Sequence, residues 1–137
     1  MLYEGEFEVK EIDKEGKKFD KVSRIELRNP DLELTLDVHV ELYPMRVGEI
    51  YDMALLKTLR IDQSEDTLTF NQDNDPTYAD SYEYVMHGTV FEISQRGGEV
   101  YASFGGLLMC LRGGDMNALV TQIARDSRLY LCMRKSQ

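Results

Sequence analysis

Residues Val100 to Leu111 read Val-Tyr-Ala-Ser-Phe-Gly-Gly-Leu-Leu-Met-Cys-Leu, the densest apolar stretch of the chain. Two strand-favouring or apolar runs flank Gly105-Gly106, and a two-residue hairpin turn requires φ > 0 at both central positions, which glycine adopts without steric cost. The predicted hairpin sets Phe104 opposite Leu107, Ala102 opposite Met109 and Val100 opposite Leu111, so these apolar side chains share one face. That face belongs to a core. The other face carries Tyr101, Ser103, Leu108 and Cys110, which is too apolar for free solvation and calls for a covering segment or a partner.

Outward from the hairpin, Gly97-Gly98 and Gly113-Gly114 repeat the glycine pair eight residues to either side, marking strand boundaries. Upstream, Tyr82, Tyr84, Met86, Gly88 and Val90 alternate with Val85, His87, Thr89, Phe91 and Ile93, which predicts a strand covered on both faces. Downstream, Asp115 is placed to cap a short helix with Met116, Leu119, Val120 and Ile123 at i, i+3, i+4 and i+7. Leu129, Leu131 and Met133 follow as a last strand.

The N-terminal half is also strand-rich. Tyr3, Gly5, Phe7 and Val9 alternate with Glu4, Glu6, Glu8 and Lys10, and Asp13-Lys14-Glu15-Gly16 supplies a turn. Phe19 to Leu27 resumes an extended pattern with Phe19, Ile25 and Leu27 on one side. There Lys17, Lys18, Lys21 and Arg24 read as a solvated basic face balanced by nearby acids. Leu32 to Leu42 holds an apolar residue at every even position, with Asp37, His39 and Glu41 on a polar face, until Tyr43-Pro44 closes it. Tyr51, Met53 and Leu55 form a fourth strand. Regular strands without intervening helices predict one all-β domain over residues 1–137, an OB-like antiparallel barrel of about eight strands with one short helix near the C-terminus.

Residues 61–83 interrupt this regularity with seven acids and neither Lys nor Arg, so about 61–80 reads as a mobile acidic loop. Asn71, Asp73 and Asp75 have the spacing of a calcium loop, but Pro76 and Tyr82 stand where such a loop needs Gly and Glu. Net charge is −9, with nine acids and one base in residues 61–100 against two acids and five bases in residues 101–137. An acidic chain of this kind is repelled by phosphate backbones, which disfavours autonomous nucleic-acid binding. Cys110 and Cys132 form no CxxC pair, and they read as buried free thiols of a reducing compartment. Neither a signal peptide nor an apolar run of membrane-spanning length is apparent, which predicts an intracellular soluble protein.

Chemistry is sparse. Only His39 and His87 could serve as imidazole bases, no motif surrounds Ser23, Ser103 or Cys110, and neither a metal nor a cofactor is called for. The expectation is a protein without catalysis of its own.

The residues resemble one family across nearly the whole chain. The matching segments are Phe7-Glu8-Val9-Lys10 with Ile12-Asp13, then Glu15 to Arg24, Leu36-Asp37-Val38 before Tyr43-Pro44, Glu83 to Met86 with Gly88, Ser103 to Met109, and Asp126-Ser127-Arg128. In that order they resemble the small eighth subunit shared by the eukaryotic nuclear RNA polymerases I, II and III. The resemblance implies an OB-like barrel, docking on the largest polymerase subunit, a place in the nucleus, and no catalysis. Gly105, Gly106, Tyr101, Ser103, Leu108 and Cys110 are then the expected partner-binding residues. The competing reading is a free-standing OB-type module binding single-stranded nucleic acid, with Tyr101, Tyr130 and Phe104 stacking on bases.

Overall fold

The computed structural model describes residues 2–17, 19–59, 77–94, 98–113 and 116–136. Its strands are β1 (Tyr3–Ile12), β2 (Val22–Arg28), β3 (Leu32–His39), β4 (Ile50–Leu56), β5 (Tyr84–Ser94), β6 (Glu99–Phe104), β7 (Leu107–Gly113) and β8 (Arg128–Lys135). A short α-helix, α1 (Asn117–Val120), lies between β7 and β8. All neighbouring strands run antiparallel, and the order β1-β2-β3-β7-β6-β5-β8-β4 closes through a ladder from Tyr3↔Leu55 to Glu8↔Ile50. The expected all-β barrel is therefore complete, and closure removes the sheet edges that would otherwise invite pairing with another chain.

The strand order resolves into two copies of one motif. In β4-β1-β2-β3 and again in β8-β5-β6-β7, three hairpin-connected strands lie beside a fourth that returns to the first, which is a Greek key. The β3–β7 and β4–β8 ladders join the copies. Each copy also carries a register shift at the corresponding place, between Val9 and Glu11 in β1 and between Val90 and Glu92 in β5. Such bulges bend the strand and increase its twist, which helps each half curl around the core.

The interior is filled by the alternation already visible in sequence. Ile25, Leu27, Leu36, Val38, Val90, Val100, Ala102, Leu129 and Met133 are fully buried, and Met116, Leu119, Val120 and Ile123 join the same cluster from around α1. The gap left between Phe7, Leu34, Met53, Leu111 and Leu131 is about 10 Å³. That is no larger than the space one water needs, so this part of the barrel is packed core and offers no ligand lumen.

Several expectations change. β3 ends at His39, because the amides of Leu42 and Tyr43 both turn back to donate to its carbonyl at 3.0 Å; Leu42 is left 73% exposed. β2 begins only at Val22, so Phe19 lies outside the sheet at 68% exposure rather than on its apolar side. Asp37, expected on a solvated face, is buried, and His39 is half-buried. Past Val85, which packs on the outside against Ala54, Leu56 and Cys132, β5 is covered on one face only: His87, Thr89 and Phe91 are exposed, and the bulge returns Ile93 to the inner side opposite Val100. Cys110 is half-buried, not fully buried, although both cysteines are free as expected.

Most of the expected acidic loop, Asn71, Asp73, Asp75 and the expected cap Asp115 included, falls outside the described residues. The end of that stretch is not loose: Tyr78–Ser81 forms a 3-10 turn whose first amide donates to the Leu59 carbonyl at 2.9 Å. Tyr78 and Tyr82 pack with Leu59 over Ala54, Leu56 and Cys132, a second apolar cluster on the outside of β4 and β8. Arg134 adds a cation–π contact 5.0 Å from the Tyr82 ring centre.

Candidate functional site

The expected partner-binding residues assemble on one outer surface. In the β6–β7 ladder Tyr101 pairs with Cys110 and Ser103 with Leu108, while Val100, Ala102, Phe104, Met109 and Leu111 face inward and are buried. Gly105 and Gly106 take φ of 64° and 98°, as the tight turn demands, and a Cβ on either would meet nothing within 4 Å. The turn is thus open to an approaching backbone. Ser103 Oγ accepts the Gly106 amide at 3.2 Å and holds the turn's shape.

The hairpin tip is anchored by a residue that sequence patterning assigned to solvent. The last pair of the β3–β7 ladder is Leu36↔Met109, and one residue beyond it the Asp37 carboxylate takes over, accepting the Leu108 amide at 3.0 Å. Arg24 Nε and Nη2 donate to the same carboxylate at 2.8 and 3.1 Å, a bidentate pair across the β2–β3 ladder. Hydrogen bonding to Asp37 is the main cause that raises the Arg24 pKa, so the guanidinium stays charged. Asp37 looks like a solvated strand acid because its neighbours alternate cleanly. Only the strand register, which sets Arg24 opposite it, reveals the pair.

β5 widens the apolar surface. Phe91, 39% exposed, contacts the Tyr101 ring with centroids 6.1 Å apart, and Leu108 is 42% exposed on β7. His87 stacks on Tyr130 at 4.6 Å further along β5 and β8. Phe91 escapes sequence reading because strict alternation placed it under cover, and only the bulge shows it facing out.

The titratable groups of this face, Tyr101 and Cys110, are both held toward their protonated forms. The Tyr101 hydroxyl donates to Glu99, and the Cys110 thiol lies 3.9 Å from the same carboxylate. Burial raises the Cys110 pKa, the opposite of what a nucleophilic thiolate needs. The Glu99 hydrogen bond is the first cause that raises the Tyr101 phenol. Among the described residues, no group of three or more His, Cys, Asp or Glu side chains could hold a metal ion. Phe104, named above as a stacking residue, points into the core and cannot meet a base.

The family model "RNA polymerase Rpb8" matches residues 4–135. The chain is 44% identical to the Arabidopsis thaliana protein "DNA-directed RNA polymerases II, IV and V subunit 8B", over 98% of this chain and 96% of that one. It is 39% identical to the Dictyostelium discoideum subunit rpabc3 of RNA polymerases I, II and III, covering 99% and 98% of the two chains. It is 35% identical to the RPABC3 subunit of the same three polymerases from Saccharomyces cerevisiae, covering 98% and 97%. With a match that runs from β1 to the end of β8, this chain belongs to the RNA polymerase Rpb8 family.

Proposed function

We propose that the chain is a non-catalytic common subunit of the nuclear DNA-directed RNA polymerases, docking on the largest subunit and supporting assembly for transcription. The relatives are named as polymerase subunits, which supports the general role. The observation that carries the docking reading is the outer hairpin face: Leu108 and Phe91 stay exposed on a barrel whose core is already full. Interface energy concentrates in a few such apolar and aromatic anchors. Tyr101, Ser103, Gly105, Gly106, Leu108 and Cys110 are the proposed contact residues.

The test is to purify tagged wild-type and Leu108→Asp chains from the host and identify the co-purifying subunits. Because Leu108 is already solvent-exposed, the variant is expected to unfold at the wild-type temperature yet recover the largest subunit poorly, a loss of about 2 kcal/mol or more in binding. A variant that is folded and fully incorporated would remove this face from the interface.

A further inference from the structure

The β6–β7 hairpin outruns both of its neighbours. Its last pair with β5 is Thr89↔Ser103 and its last pair with β3 is Leu36↔Met109, so Phe104 to Leu108 project past either ladder. β3 itself runs on to His39, but there it is paired with Val22 of β2. The strand leaves β7 and follows β2. A groove of about 570 Å³ opens at this place, with Arg24, Asp37, Gly105, Gly106 and Leu107 in its lining. Phe104 is buried and Leu107 packs against the core, which fixes the inner face of the tip. The outer face has no such support: Leu108 is 42% exposed, and a Cβ on Gly105 or Gly106 would meet nothing within 4 Å.

The Asp37 carboxylate bridges this gap. Its Oδ2 accepts the Leu108 amide at 3.0 Å, while Arg24 donates to both oxygens at 2.8 and 3.1 Å and holds the carboxylate in place. A side chain thus continues what the β3–β7 ladder no longer does, through charge-assisted bonds. Glycine loses more conformational freedom on ordering than any other residue, so a glycine tip that had to be ordered during association would weaken binding; a tip already fixed does not. We infer that Asp37 is a positioning residue for docking. Being buried, it does not meet the partner; it holds Leu108 and the glycine turn in the geometry that the partner meets. The inference deepens the docking reading through Leu108 and rests on it.

The test co-expresses an untagged variant with the wild-type chain in the host and isolates the polymerase through a tagged largest subunit. Mass spectrometry then compares the variant-to-wild-type ratio in the polymerase with the ratio in the soluble pool. Asp37→Ala is expected to be depleted from the polymerase about tenfold. Val9→Ala, a core truncation in β1 that lowers stability without touching the tip, is expected at the ratio of its pool. Asp37→Asn keeps an oxygen for the Leu108 amide and is expected to restore most of the loss. The double variant Arg24→Leu, Asp37→Val strands neither side chain of the pair, so it is expected to fold even where Asp37→Ala does not, and to be depleted as strongly because it lacks the tether. In a Leu108→Ala background the step from Asp37 to Ala is expected to deplete the chain much less than tenfold, since the two act through one contact. Full incorporation of Asp37→Ala or of the double variant, equal depletion of Val9→Ala, no recovery in Asp37→Asn, or an undiminished loss in the Leu108→Ala background would overturn this inference alone. Full incorporation of Leu108→Asp would overturn it together with the docking reading.

Discussion

Asp37 and Gly88 show how much single positions decide. Asp37 is a buried carboxylate held by a bidentate Arg24 and by the Leu108 amide, so removing either partner strands a polar group on the barrel wall. Arg24→Ala and Asp37→Ala are each expected to cost about 2 kcal/mol in urea unfolding, and the double variant about 1 kcal/mol less than their sum. Strictly additive losses would mean that the pair is not coupled. At Gly88 a Cβ would lie 1.9 Å from the Ser103 carbonyl oxygen and 2.7 Å from its carbon, backbone atoms of β6 that cannot rotate away. Gly88→Ala is therefore expected to cost about 3 kcal/mol, whereas Gly105→Ala, with open space but φ of 64°, is expected to cost about 1. Equal losses at the two glycines in the same unfolding series would contradict the close β5–β6 approach.

At the scale of elements, the base of the acidic connection is sealed where Tyr78 donates to Leu59, so the two ends of residues 60–76 are already adjacent. Replacing that stretch by a short Gly-Ser linker is expected to leave thermal unfolding within a few degrees of wild type, since loop-closure entropy changes slowly with length. Extending the replacement through Tyr82 strips the cover from Ala54, Leu56 and Cys132 and is expected to destabilise the barrel. Equal stability of the two deletions would show that the aromatic cover is dispensable. The contrast marks what the sequence could tell. Strands that alternate strictly, such as β1, β3 and the β6–β7 hairpin, were legible because one face is core and the other is not. The 3-10 turn reads in sequence as part of a mobile loop because its tyrosines have no local period, and their packing exists only once β4 and β8 are adjacent. β5 departs from its sequence pattern for a related reason: a bulge changes which residues face inward without changing composition.

Over the whole molecule, two Greek keys close one barrel, and the ends of β4, β5 and β8 meet around stacked tyrosines. Tyr43 stacks on Tyr84 at 5.0 Å and donates to Glu83 at 2.6 Å, while Tyr51 donates to Glu49, which Lys135 also contacts. These bonds lower both carboxyl pKa values: Glu49 first through Lys135, Glu83 first through Tyr43. A lowered folded-state pKa means that the unfolded chain binds protons first as pH falls. The stabilisation is present above the ordinary carboxyl value of 4.5 and is lost as pH drops below it toward the lowered values. Urea midpoints between pH 7 and pH 3 are expected to fall chiefly below about 4.5, less steeply in Glu83→Gln. A midpoint flat across that range would contradict the assignment.

The same closed barrel leaves one thiol on each side of the central question. Cys110 lies half-buried on the hairpin's outer face, and Cys132 is fully buried under the tyrosine cover, where burial pushes its thiol up to about 11. Native-state maleimide labelling, read by mass spectrometry on the isolated chain and on the chain within its purified polymerase, is the direct measurement of whether that face is covered. Cys110 is expected to label in the isolated chain and to be protected in the assembly, with Cys132 unreactive in both. Equal labelling of Cys110 in the two samples would contradict docking through the hairpin.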